Sequence, residues 1–341
     1  MQQFLNLQEL SQALAGHKTM LVCGSSLDRL PIADAVKAMA SVRFSAFSPN
    51  PLYEDVVAGV ELFRSAGCDA ILAVGGGSAM DVAKCIKLFA PMSPDTLYLD
   101  QPRESSDILL AAIPTTAGTG SESTRHAVIY YKGEKQSISH SDLVPGLVCL
   151  IPEVLKDLPL YQKKCTMLDA LGQAIESWWS VSATEESIGY SKQAIGLIKQ
   201  YWKAYTETGS HAEEILLASN YAGRAINITA TTAAHAMSYK LTSLYGIPHG
   251  HAVGLCLPEV WEEMAEEKKL QPVFRELSVD LPWMRDLLAQ LQMSKPVSSN
   301  READLEILAD SVNPLRLKNN PVAFSRDTLK AMYERILSNE S

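Results

Sequence analysis

Over the first 150 residues, short apolar runs alternate with helical patterns. Beyond that point the runs stop, and this asymmetry restricts what the chain can fold into. Residues 19–23 (TMLVC) and 70–74 (AILAV) read as buried strands, with further strands at 42–46, 109–113 and 128–131. Between them, 32–40, 53–65 and 80–89 carry apolar residues at helical spacing. Strands alternating with helices predict a mainly parallel α/β sheet. After about Pro152 the patterns at 167–181, 187–201, 212–228, 232–244 and 251–266 are all helical, as are 304–309 and 328–336. A chain of 341 residues exceeds one ordinary core. The expectation is an α/β domain over 1–155 and an all-helical domain over 156–341, with a ligand in a cleft between them.

Charge and cysteine content exclude several classes. Thirty basic against 39 acidic residues leave a formal charge of −9. A general nucleic-acid or acidic-membrane binder needs a basic face, although one small basic pocket remains compatible. Cys23, Cys68, Cys85, Cys149, Cys165 and Cys256 form no C-x-x-C pair, so neither a thiolate zinc site nor a redox motif is expected. The N-terminus lacks the basic-then-apolar pattern of a signal peptide, and no apolar run reaches the roughly 18 residues of a membrane span. A cytoplasmic protein is expected.

Strand 70–74 runs directly into Gly75-Gly76-Gly77-Ser78 and then a helix. Glycines let backbone approach a ligand, and the unpaired N–H groups of a helix start bind phosphate. Ser78 with Asp81 three residues later also fits an N-cap, so a plain capped turn is the competing reading. It is not the G-x-G-x-x-G fingerprint. A second polar loop, Pro114 to Glu122, follows strand 109–113 and is dense in hydroxyls and glycine. Two such loops at the carboxyl ends of strands favour a phosphate-bearing cofactor over a bare surface loop.

Asp169 and Gln173 stand four apart on a predicted helix and share a face. His235 lies in another helical pattern, and His249 follows Pro248 at a helix start. One carboxylate, one amide and two imidazoles form a possible four-ligand divalent site; the bland alternative is a set of core histidines.

These stretches resemble the iron-containing, or group III metal-dependent, alcohol dehydrogenases. The matching motifs are GGGSAMDVAK (75–84), IPTTAGTGSE (113–122), LDALGQAIESWWS (168–180) and HAMSYKLTSLYGIPHGHA (235–252). The resemblance implies a dinucleotide-binding N-terminal domain and a helical metal and substrate domain. It implies metal ligation by Asp169, His235 and His249, with Gln173 as fourth ligand or replaced by water. It places Gly76, Gly77 and Ser78 by the pyrophosphate and Asn50, Thr115, Thr116 and Thr119 around the cofactor, with Asp81 and Ser121 as further cofactor-binding candidates.

Two departures stand out. Gln173 and Tyr239 occupy positions where the family usually has His. A neutral Gln makes a harder, weaker metal site. Loss of a relay His leaves Tyr239, His251 or solvent to supply the alcohol proton. Gln173, WSVSATEES (179–187) and AINIT (225–229) resemble the branch of phosphonoacetaldehyde reductases, whose relatives reduce sulfoacetaldehyde. The implied activity is NAD(P)H-linked reduction of a small anionic aldehyde on one divalent metal, Fe²⁺, Zn²⁺ or Mn²⁺, in a homodimer. Arg125, Lys240 and Thr232 are the candidates for the anionic head. Gly24-Ser25-Ser26 follows the first strand without an acid, which permits NADPH and leaves NADH open. A general alcohol dehydrogenase, a dehydroquinate synthase-like lyase and a metal-less nucleotide binder are the competing readings.

Overall fold

The computed structural model describes residues 2–339, which divide into two compact units that part between Leu158 and Pro159. The N-terminal unit contains β1 (Gln3–Phe4), α1 (Leu7–Ala13), β2 (Thr19–Cys23), α2 (Ala33–Ala38), β3 (Val42–Phe44), α3 (Tyr53–Ser65), β4 (Ala70–Gly75), α4 (Gly77–Phe89), β5 (Leu109–Pro114), β6 (His126–Tyr131), β7 (Glu134–Ser139) and β8 (Leu147–Val148). Six strands form a parallel sheet in the order β1-β8-β5-β4-β2-β3. Every residue of β2 and β4 is buried, which is why both appear in the sequence as unbroken apolar runs. Met20, Ile71 and Leu110 are aligned across β2, β4 and β5, as are Val22, Ala73 and Ala112 two residues on. This period-two face packs with Val56, Val60 and Phe63 of α3 and Met80 and Ala83 of α4.

Two expectations are corrected in this unit. The strand expected at 128–131 is not in the main sheet. It belongs to β6, which pairs antiparallel with β7 through a turn at Lys132 and Gly133, both at positive φ. Helix α4 starts at Gly77 rather than at 80, with Gly76 as N-cap and no side-chain capping bond. Ser78 is therefore inside the first turn rather than the cap, and Asp81 lies one turn in. A Cβ on Gly75 would come within 2.6 Å of the Ala79 Cβ, so the strand-to-helix junction requires glycine there.

The C-terminal unit contains α5 (Leu160–Trp179), α6 (Glu185–Thr208), α7 (Ala212–Thr229), α8 (Ala233–Tyr245), α9 (His249–Met264), α10 (Gln271–Glu276), α11 (Leu281–Gln290), β9 (Val297–Ser298), α12 (Arg301–Ser311), α13 (Pro314–Leu317), α14 (Arg326–Ile336) and β10 (Ser338–Asn339). It is helical except for a parallel pairing of β9 with β10, a small departure from the all-helical expectation. Helix α5 is buried on nearly every side from Met167 to Trp179 and packs against α6, α7 and α9. A helix buried all round is expected to be apolar. The three ionisable or amide side chains in its middle, Asp169, Gln173 and Glu176, must therefore find partners to offset their desolvation.

Helix α9 reaches α5 through Gly250. A Cβ there would overlap the Cys165 carbonyl oxygen and press on the Asp169 Cβ. Backbone and helix core cannot yield as a flexible side chain would. Gly250→Ala is expected to lose at least ~3 kcal/mol, the upper range for overpacking. A melting temperature about 5 °C or more below the parent checks it; a change under one degree would show that the helices separate freely.

Candidate metal centre

Three helices of the C-terminal unit bring Asp169, His235 and His249 together, with one ligand atom of each within 4.8 Å of the others. Asp169 lies on α5, His235 one turn into α8, and His249 is the first residue of α9. His235 Nε2 is 3.2 Å and His249 Nε2 is 3.8 Å from Asp169 Oδ1. Asp169 and His235 are buried, and His249 is half-buried.

The opposite nitrogens are fixed from behind. His235 Nδ1 donates to Glu176 Oε2. The Ser238 hydroxyl donates to the His235 carbonyl at 2.8 Å, so at 3.2 Å it accepts the proton on His249 Nδ1. Both imidazoles thus turn Nε2 toward Asp169. A carboxylate behind the ring is the arrangement that orients metal-bound histidines. Burial alone would depress the His235 pKa, but Glu176 and Asp169 more than reverse that and lift it to about 9. Burial also pushes Asp169 and Glu176 up, yet their imidazole partners win and hold both below the usual carboxylate range. The cluster therefore stabilises positive charge where the Nε2 atoms converge. That property, with one hard carboxylate oxygen and two imidazole nitrogens, fits a borderline divalent cation.

Glu176 escaped the sequence reading. It lies seven residues after Asp169 and is fully buried. Its Oε1 accepts from Thr232 Oγ1 at 2.7 Å, Ala234 N at 2.7 Å and His235 N at 3.3 Å. It therefore caps α8 from another helix while holding the His235 ring. A buried acid is rarely unpaired, and its spacing of seven from Asp169, two helical turns along one face, was the one available hint.

The other expected residues separate into groups. Gln173, one turn from Asp169, is buried and hydrogen-bonds its carboxylate. The Tyr239 ring stacks on His249 at 5.4 Å between centroids. Arg316 Nη1 donates to the Tyr239 hydroxyl at 3.0 Å, and the guanidinium lies 5.0 Å over the ring. Four further expected residues, His251, Thr232, Arg125 and Lys240, are placed as follows. His251 is two residues from His249 on one helix and points elsewhere: Nε2 donates to the Ser294 carbonyl at 2.9 Å, so Nδ1 accepts from Tyr161 at 2.7 Å. Both of its nitrogens are thus engaged by Tyr161 and Ser294. Thr232 is buried, its hydroxyl accepting from Trp179 Nε1 at 3.0 Å and donating to Glu176 Oε1 at the start of α8. Arg125 is exposed just before β6 in the N-terminal unit, and Lys240 is half-buried on α8, about 100° round from Tyr239.

In the N-terminal unit, the expected cofactor residues follow three adjacent parallel strands. Gly24, Ser25 and Ser26 follow β2, Gly76, Gly77 and Ser78 follow β4, and Thr115, Thr116 and Thr119 follow β5. The loops after β4 and β5 meet closely. A Cβ on Gly76 would lie 3.3 Å from Thr116 and one on Gly77 3.2 Å from Thr119. The glycine N-cap contributes no side-chain hydrogen bond to the N–H groups at the start of α4. Asn50, between two prolines, is exposed at positive φ. Half-buried Asp81 and buried Ser121 join a network around a buried lysine. Lys84 Nζ donates to Ser121 Oγ at 2.9 Å, Thr124 Oγ1 at 3.0 Å and the His126 carbonyl at 2.8 Å, and Ser121 Oγ donates to Asp81 at 3.3 Å. Burial lowers Lys84 to about 8 and raises Asp81 to about 6. The network ties the loop after β5 to α4.

Comparison with known proteins agrees with this architecture. Residues 2–152 match the family model for iron-containing alcohol dehydrogenase, and 164–337 match the C-terminal model of the Fe-containing alcohol dehydrogenase family. The chain belongs to the iron-containing alcohol dehydrogenase family. It is 35% identical over 235 residues to the probable alcohol dehydrogenase EutG of Escherichia coli (strain K12), a match spanning 67% of this chain and 59% of that protein. It is 32% identical over 220 residues to the phosphonoacetaldehyde reductase of Streptomyces viridochromogenes, covering 60% of this chain and 55% of the relative. The crystal structure of sulfoacetaldehyde reductase from Bifidobacterium kashiwanohense in complex with NAD⁺ superposes with a TM-score of 0.88 at 28% identity, covering 98% of this chain and 96% of the other. Among the described residues, no helix is long and apolar enough to cross a membrane.

Proposed function

We propose that this chain is a metal-dependent, NAD(P)H-linked reductase of a small aldehyde with an anionic head group. The convergence of Asp169, His235 and His249, backed by Glu176 and Ser238, carries this reading. A divalent ion held by these three residues would supply Lewis-acid polarisation of a carbonyl, and a reduced nicotinamide would supply hydride. The NAD⁺ complex of the sulfoacetaldehyde reductase supports a nicotinamide cofactor. Glu176 and Ser238 fix the two imidazole tautomers, and Gln173 steadies Asp169 from the same helix. Tyr239 accepts from Arg316, so its own O–H is the donor in any further bond, and it lies against a proposed metal-ligating ring. That makes Tyr239 the proton-donating candidate. The named activities of two relatives and the Arg316–Tyr239 pair beside the cluster support an anionic substrate. The six unpaired thiols suit a reducing cytoplasm.

Comparing kcat/KM for sulfoacetaldehyde, phosphonoacetaldehyde and butanal tests the substrate class. Selective turnover of an anionic aldehyde is expected; equal turnover of butanal would leave a general aldehyde reductase. Arg316→Ala should raise KM for the anionic aldehyde roughly 10- to 100-fold, the worth of a charge-assisted hydrogen bond, with a small effect on butanal. Equal losses on both substrates would remove Arg316 from the head-group site.

A further inference from the structure

The carboxyl end of β2 holds a charged cluster that the dehydrogenase reading does not use. Arg43, on neighbouring β3, donates from Nη2 to the Gly24 carbonyl at 3.3 Å and from Nε to Ser45 at 2.8 Å. It also donates to Asp28, from Nη1 at 2.9 and 3.1 Å and from Nη2 at 3.1 Å. Lys37 Nζ reaches the same carboxylate at 2.7 Å. Ser25 and Ser26 are exposed beside it, in the turn that follows Gly24. The acid that the sequence reading did not find here is thus Asp28, four residues past Gly24 and already clamped by two cations.

The position in the sheet gives this cluster a meaning. Cys23 pairs with Val74, so Gly24 stands level with Gly75, where the glycine loop begins. A dinucleotide whose pyrophosphate rests on the start of α4 extends its adenosine ribose over the end of the adjacent strand. We propose that Arg43 and Lys37, with the Ser25 and Ser26 hydroxyls, bind the 2′-phosphate of NADPH, and that the Asp28 carboxylate occupies the phosphate's seat until the cofactor displaces it. Two cations against one carboxylate leave the cluster net positive. Asp28, whose pKa is held at about 2 by its bonds to Arg43 and Lys37, stays ionised at neutral pH. A guanidinium anchored by a backbone carbonyl and a serine is presented in the bidentate form that suits phosphate. The alternative is that Asp28 accepts the ribose 2′-hydroxyl of NADH. The two roles predict opposite effects of one substitution.

The inference rests on the nicotinamide reading above, and binding of nucleotide fragments tests it without turnover. By calorimetry on the full chain, adenosine 2′,5′-bisphosphate should bind roughly 10- to 100-fold tighter than adenosine 5′-monophosphate. Arg43→Ala should remove most of that ratio, and Lys37→Gln, a surface change, a smaller part. Asp28→Asn should tighten the bisphosphate. The kcat/KM ratio of NADPH to NADH should move in the same directions. Equal affinity for the two fragments, or weaker bisphosphate binding in Asp28→Asn, would overturn the proposal while leaving the reductase intact. Binding of neither fragment, with no oxidation of either reduced nicotinamide, would overturn the cofactor reading and this proposal together.

Discussion

Replacing His235 with alanine is expected to lower kcat by about 10²- to 10³-fold, the cost of losing one principal charge-stabilising group in an active site. Bound metal should fall well below one per chain. Two effects combine. The substitution removes one of three converging donor atoms, and it strands Glu176 in the core without its imidazole partner. Breaking a buried charge pair costs about 3–5 kcal/mol, so the variant should also melt several degrees early. Metal analysis, steady-state kinetics and a thermal melt check the three parts separately. A variant with full metal content and normal kcat would remove His235 from the site.

Glu176→Gln carries the second large effect and separates orientation from ligation. The amide keeps the size of the carboxylate but not its charge. Glu176 accepts from one hydroxyl, two backbone N–H groups and an imidazole N–H, so any amide orientation sets its NH₂ against a donor. All three proposed ligands remain. Metal affinity should nonetheless fall about 10- to 100-fold, as for other substitutions behind a metal-bound histidine. At saturating metal, kcat should recover much further than in His235→Ala. If affinity is unchanged by titration with a chelator competitor, Glu176 serves only to cap α8.

The readable parts of the fold were those that short-range pattern determines. Strands β2 and β4 are buried on both faces, and α3 is bounded as its apolar spacing predicted, at Tyr53–Ser65. The β6–β7 hairpin was half missed because β7 (EKQSIS) is mostly polar and lacks strand-like apolar content. At the site, Asp169 and Gln173 were found because four residues on a helix make one face. His251 was grouped with His249 by its nearness along the chain. With α9 starting at His249, a spacing of two places the imidazoles on different sides. Arg316 could not be found by spacing. Its partner Tyr239 is 77 residues away, and α13 has only four residues to show a pattern. Glu176 shares a face with Asp169, but that spacing alone does not say that it holds the start of α8.

The most direct test of a metal-dependent reductase is stripping and reconstitution. Purified protein is treated with a chelator, then titrated with Fe²⁺, Zn²⁺ or Mn²⁺ while oxidation of reduced nicotinamide by an anionic aldehyde is followed. The metal-free protein should bind nucleotide normally but turn over about 10²- to 10³-fold more slowly. One equivalent of a suitable ion should restore the rate in the parent and not in His235→Ala. Undiminished turnover without metal, or no net nicotinamide oxidation with any ion, would contradict the account.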